Sequence, residues 1–238
     1  MRCVAFSPLL LLVACALRPP QLQPAPYHVV VKSVRLPERD WLPWYTRFAE
    51  HAWFEVKALD RIERIEWTKG FGAVVHTPLE LGDFLDPERW EQGAAVVAQV
   101  TGPEAQALGE RMLAIADSFP HAADYRAWPG ANSNTFVSWL AREAGMGVLL
   151  PPNAVGKDYT GWLAAGASST GLGVHVDTAV LGAQVGLVEG VELHVIGLTA
   201  GVSLWPPSLK LPFLPAIPGG WFAPGSARAA DAVTGATR

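Results

Sequence analysis

The chain has 238 residues, 50% hydrophobic and 17% charged. That excludes a disordered protein and is long enough for one good core. A formal net charge of −4 lacks the basic footprint of nucleic-acid binding, and the two cysteines, Cys3 and Cys15, both precede the body, which excludes from it a disulfide, a thiolate nucleophile and cysteine-ligated zinc.

The first residues carry Arg2 and then an apolar run from Leu9 to Ala14. A bilayer span takes about 20 apolar residues, so residues 1–14 read as a signal peptide. Leu12-Val13-Ala14-Cys15 resembles the bacterial lipobox, in which small residues fit a peptidase groove and the cysteine thiol takes a diacylglycerol. The alternative is a plain signal peptide or an uncleaved anchor in which Cys15 is incidental. The resemblance implies an envelope lipoprotein whose partner is the lipid bilayer, engaged through acylated Cys15. Ala16 rather than aspartate follows the cysteine. For a Gram-negative host this points to the periplasmic face of the outer membrane. Pro19, Pro20, Pro24 and Pro26 make residues 15–26 an extended tether.

Residues 27–217 are expected to form a single α+β domain. Its antiparallel sheet would be packed by two or three helices, with a Gly-rich β extension from about residue 160. His28–Val34 is β-branched and reads as a strand. Arg39–Glu50 reads as a helix with Trp41, Trp44, Tyr45 and Phe48 on one side, the two tryptophans in the core. Ala52–Ala58, Ile62–Trp67 and Ala73–His76 read as strands, and Ala94–Val100 is an apolar run. Thr101-Gly102-Pro103-Glu104 opens a helix that reaches Phe119. A second helix starts near Asn132 and Ser133, buries Phe136, Val137 and Leu140, and stops at Gly145. Only nine of the 40 charged residues lie in 151–238, where short runs between glycines suggest an antiparallel meander. The stretch 161–204 is long and weakly charged. Asp177, Glu189, Glu192 and two histidines interrupt it, so a spanning helix is rejected. Pro206–Pro218 closes the domain, and residues 218–238 read as a disordered tail.

Two stretches could carry chemistry. His51 enters a strand, and Gly130-Ala131-Asn132-Ser133-Asn134-Thr135 opens a helix. A nucleophile at a helix start gains from unsatisfied N–H groups and the dipole, and those groups can also receive an oxyanion. Ser133 could also be an ordinary cap, and His51 a satisfied core histidine. His175 and His194, with Asp177 and Glu192, could meet across two hairpin strands as a metal site, but the spacing matches no ligand motif and surface positions on alternating strands are the favoured reading. Lys157-Asp158 reads as a local turn pair. No motif calls for a cofactor or a metal.

Asn132-Ser133-Asn134-Thr135-Phe136, the run Leu150 to Tyr159 and Val195-Ile196-Gly197-Leu198 resemble an uncharacterised bacterial family, domain of unknown function 3750, over about residues 27–217. That family brings no activity. The order of a strand histidine before a helix opening Asn-X-Asn-X-Phe-Val also resembles permuted papain-like proteins, including relatives of NlpC/P60 peptidases and lecithin–retinol acyltransferases. This second resemblance implies His51 as base and Ser133 in the place of the cysteine nucleophile, with the N–H near Asn134 as an oxyanion donor. The departure matters, because a helix dipole can bring a thiol into range but a serine must lose its proton to a base. Glu66 and His76 are candidates for the orienting group. The expected function is an envelope lipoprotein, either a hydrolase or acyltransferase on a wall or lipid substrate, or a non-catalytic binding protein.

Overall fold

The structure is a computed structural model that describes residues 25–36, 44–58, 60–69, 72–79, 94–204, 207–214 and 216–217. The expected signal peptide, most of the tether, Trp41 and the tail at 218–238 lie outside the described residues. The described chain is mixed α+β, with two antiparallel sheets and two α-helices.

The first sheet contains β1 (His28–Arg35), β2 (Glu50–Ala58), β3 (Arg61–Trp67), β4 (Val74–Pro78) and β5 (Ala95–Thr101), in the order β4-β3-β2-β1-β5. Helices α1 (Pro103–Ile115) and α2 (Ser133–Ala144) lie on one face. The strand period of two turns Val29, Val31, Phe54, Val56 and Ile65 toward them. There they meet Leu108, Met112, Phe136 and Leu140 in one continuous core. Leu108 and Met112 are four apart, and so are Phe136 and Leu140, so each helix brings one apolar stripe to the sheet. Gly109 lets α1 approach closely, since a Cβ there would lie 2.8 Å from both the Ala58 Cβ and the Val56 Cγ1.

The helix expected over 39–50 is corrected. Its described part is a single 3-10 turn, Trp44–Phe48, and Glu50 already belongs to β2, paired with Arg35. The aromatic spacing suggested a helical stripe, but the backbone from Glu50 onward is needed by the β1 ladder. Trp44 is 67% exposed and is not core.

The second sheet is a six-strand meander in chain order: β6 (Leu163–Ala167), β7 (Gly173–Thr178), β8 (Leu181–Gly186), β9 (Gly190–Val195), β10 (Leu198–Leu204) and β11 (Pro207–Lys210). Two of its strands carried no clear signal. Strand β6 is Leu-Ala-Ala-Gly-Ala without a β-branched residue. Strand β11 opens on Pro207, which an edge strand tolerates because one side of it needs no donor. The segments on either side of α2 reach the turn between β9 and β10. The Gly156 N–H donates to the Gly197 carbonyl at 3.0 Å, and the Trp128 indole N–H donates to the Ile196 carbonyl at 2.6 Å.

The close contact at Gly109 gives a test. Gly109→Leu should destabilise the protein by about 1–3 kcal/mol through overpacking against β2. Urea unfolding would measure it, and an unchanged midpoint would mean that α1 does not press on the sheet there.

Candidate functional site

The N-terminus of α2 is the most heavily bonded polar point of the first sheet. Asn132 is its N-cap. The Asn132 side-chain oxygen accepts from the N–H groups of Asn134 (2.9 Å) and Thr135 (3.3 Å), and the Thr135 hydroxyl accepts from the Asn132 N–H (3.0 Å). This is a capping box with Thr in the place of Glu or Gln. The Asn132 amide also donates to the carbonyls of Ala127 and Val155, both at 2.9 Å, and Thr135 donates to the Gly156 carbonyl at 2.7 Å. Asn134 reaches the sheet. It accepts from the Ala52 N–H (3.0 Å) and donates to the carbonyls of Glu50 (2.8 Å) and Val155 (3.0 Å). The β2–β3 pairing begins only at Phe54, so Asn134 satisfies strand groups that β3 leaves open.

Asn132, Ser133 and Asn134 all line one cleft. Glu50, Tyr125, Trp128, Trp44 and Phe213 help line it. Ser133 is buried and lies against Tyr125. Burial raises the Tyr125 phenol above its ordinary range, with interactions from the Ser133 side chain and backbone opposing and the Glu66 charge reinforcing the shift. Glu50 is the titratable group that the sequence did not single out. Burial raises its carboxyl above the usual range against hydrogen bonds from Asn153 and Ser33, which lie 2.9 Å away, and against the charge of Arg35. Its position two residues before Ala52 on the same strand face was the only available signal.

His51 points the other way. Strand alternation puts Glu50 and Ala52 on the helix side and His51 with Trp53 on the opposite face. Its ring stacks on Trp53 with centroids 5.8 Å apart, and its Nε2 lies 2.8 Å from the Glu66 carboxylate. Arg64 donates to the same carboxylate at 2.6 Å and caps the Trp53 ring at 4.3 Å. The His51 and Arg64 contacts outweigh the desolvation of Glu66 and hold its carboxyl below the usual range. Thus the structure brings His51 to Glu66, and among the described residues no hydrogen bond joins His51 to Ser133. His76 is bonded to Glu63 at 3.0 Å. The Asn134 N–H, read as an oxyanion donor, already donates to Asn132.

A second cluster lies inside the second sheet. Register aligns His175, Gln184, Glu192, Gly201 and Lys210 in one inward row, and Asp177, Gly182, His194 and Thr199 in the next. All the charged members are buried. Asp177 bridges His175 (2.5 Å) and His194 (2.6 Å). Lys157, from the segment after α2, donates to Asp158 (2.7 Å) and Glu192 (3.1 Å), while Lys210 bonds Glu192 and the Glu189 carbonyl. Thr199 donates to Asp158 at 2.6 Å. So Lys157-Asp158 is more than a local turn pair, and the four residues from His175 to His194 meet in the interior rather than on the surface. The glycines make room, because a Cβ at Gly182 would collide with the Asp177 carboxylate.

Donor atoms of Asp158, Glu192 and His194 lie within 4.8 Å of one another. A cation could be held by such a set, but Lys157 already bonds both carboxylates and Lys210 bonds Glu192 as well. Asp158, Asp177 and Glu192 face Lys157, Lys210 and His194, with the buried Glu189 beside Lys210, so a proton on His194 offsets negative charge in the cluster. Burial opposes the imidazolium, yet the charge of Asp158 and the bonds from Asp177 and Glu192 prevail and raise His194 to about 9. For Glu192, desolvation is overcome by Lys157, His194 and Lys210, and its carboxyl falls well below the usual range.

Two measurements check these sites. Asn134→Ala leaves buried Ala52 and Glu50 backbone groups unpaired and should cost about 2–4 kcal/mol in urea unfolding; a loss under about 0.5 kcal/mol would show that water replaces the amide. His194 binds its proton more tightly folded than unfolded, so its contribution is full below about pH 6.5 and fades as pH rises through about 9. The urea midpoint should fall across that window, and His194→Gln should flatten the fall. A slope equal to wild type would remove His194 as its source.

A comparison with family models matches residues 32–159 to "Protein of unknown function (DUF3750)". The match runs from within β1 through α2 and into the segment that follows. Comparisons with curated proteins and with solved structures give no match. No helix among the described residues is long and apolar enough to cross a membrane. The family match takes in more than half of the chain, including the capped start of α2 and the Lys157-Asp158 pair, and this chain therefore belongs to the DUF3750 family.

Proposed function

We propose that this chain is a bacterial envelope lipoprotein, held on a membrane by acylated Cys15, whose cleft at the start of α2 binds a wall or lipid component without turning it over. The anchor rests on the lipobox sequence. The binding role rests on one observation: His51 lies on the opposite face of β2, bonded to Glu66 and not to Ser133, whose neighbour in the cleft is the Tyr125 phenol. A serine nucleophile needs a base that can take its proton near neutral pH. A buried protonated phenol cannot do that. The aromatic walls and the buried Glu50 suit a ligand with an apolar body and a polar end.

The strand-then-helix order supports papain-like ancestry for β2, β3 and α2, with the old catalytic cleft kept as a pocket. A hydrolase or acyltransferase is the second reading, favoured by Ser133 at a capped helix start. A fluorophosphonate probe separates the two. The purified protein is expected to stay unlabelled, like Ser133→Ala; labelling of wild type that disappears in Ser133→Ala would replace the binding role with acyl-transfer chemistry. The anchor is tested separately by the mass of the mature N-terminal peptide, which should carry the added lipid on Cys15.

A further inference from the structure

The outer face of the second sheet is the inverse of a water-facing one. Its inward rows hold His175, Asp177, Glu192, His194 and Lys210. Its outward residues are apolar: register carries one row across all six strands as Ala167, Val174, Val185, Val191, Val202 and Leu209. No exposed position in β6–β11 is charged. Leu163 is 74% exposed, Leu193 57% and Leu204 81%. Six strands about 4.8 Å apart make this face roughly 500 Å² in projection, near the upper end for the largest apolar patch of an ordinary soluble monomer.

We propose that this face lies on the hydrocarbon of one bilayer leaflet, as a second membrane contact beside the lipid anchor. Three features select lipid over a second copy of the chain. First, the alternation of apolar outside and ionic inside is the pattern of sheets whose solvent is lipid. Second, protein interfaces carry about one hydrogen bond per 100–200 Å². The exposed strand residues offer one side-chain hydroxyl, Thr178, and it already donates to the Leu181 carbonyl at 2.7 Å. Third, Trp162 is 88% exposed at the entry to β6, where an aromatic ring can sit among headgroups. Geometry sets the orientation. Strands of four to seven residues are shorter than the 9–11 residues of a spanning strand. The edge at β6 presents strand backbone that cannot enter hydrocarbon, while Ile217 covers part of the β11 edge. The sheet therefore lies face down with its edges at headgroup level. The segment from Cys15 to Tyr27 reaches at most about 43 Å, so an anchored chain holds this face within range of the membrane.

The inference rests on the proposed anchor only for delivery to the surface. The test uses the mature protein with Val176→Cys or Leu193→Cys, each labelled with bimane, on vesicles of phosphatidylethanolamine and phosphatidylglycerol. Emission at both positions should shift to the blue, lose intensity to doxyl-labelled acyl chains and resist aqueous iodide. A label at Glu104→Cys, exposed on α1, should do the opposite. Aqueous emission quenched by iodide at 176 and 193 would overturn the proposal. So would cross-linking between copies without doxyl quenching, which would assign the face to a second chain. Mass analysis of Cys15 keeps the two readings apart: an unmodified cysteine with doxyl quenching removes the anchor alone, and an acylated cysteine with aqueous labels removes the sheet contact alone.

Discussion

The buried carboxylate of Glu192 holds the second half of the molecule together. It receives Lys157 from the segment after α2 and Lys210 from the edge strand β11, and it also lies beside His194. A lone buried carboxylate would be expensive, and pairing with only one cation would leave lone pairs open. Two ammonium groups and an imidazole close the site. The same bonds tie the sheet to the segment that leaves α2 and hold the last strand against the meander. With the charged groups turned inward, the apolar side chains of the same strands have only the outside left.

The first sheet follows the ordinary rule, with its apolar side facing the helices. Its opposite face is also buried but polar, with Lys32 paired to Glu55 at 2.6 Å and the Trp53 indole donating to Glu55 at 2.9 Å. His51 belongs to this polar layer. The two candidate sites therefore differ in kind. The α2 cleft is a pocket rimmed by groups already engaged in capping and strand termination, with Glu50 held by Ser33 and Asn153 and with Ser133 and Tyr125 beside it. The second-sheet cluster is ionic and closed to solvent. Its chemistry is structural, and its consequence is the surface on its far side.

The candidate site was partly legible from local rules. Asn and Ser before an apolar run mark a helix start, and Asn132 caps α2. Glu66 was a candidate orienting partner for His51 and is its partner. Glu50 was missed because a lone glutamate beside a strand carries no motif. The arrangement of Ser133 and His51 was not legible, since shifting a strand by one residue exchanges its faces, and the sequence of β2 does not state which face meets α2.

Sequence by itself determined what depends on near neighbours. Strands β1, β2 and β3, both helices, the cap at Asn132 and the stop at Gly145 follow from residue type and spacing. So does the alternation of polar and apolar residues along β7 and β9. Only the tertiary structure decided which side of that alternation faces inward. A period of two is symmetric with respect to inside and outside, and composition led to the expectation of charges at the surface. The ionic partners that reverse it, Lys157 and Lys210, lie 35 and 18 residues from Glu192. No local pattern could pair them before the chain had folded.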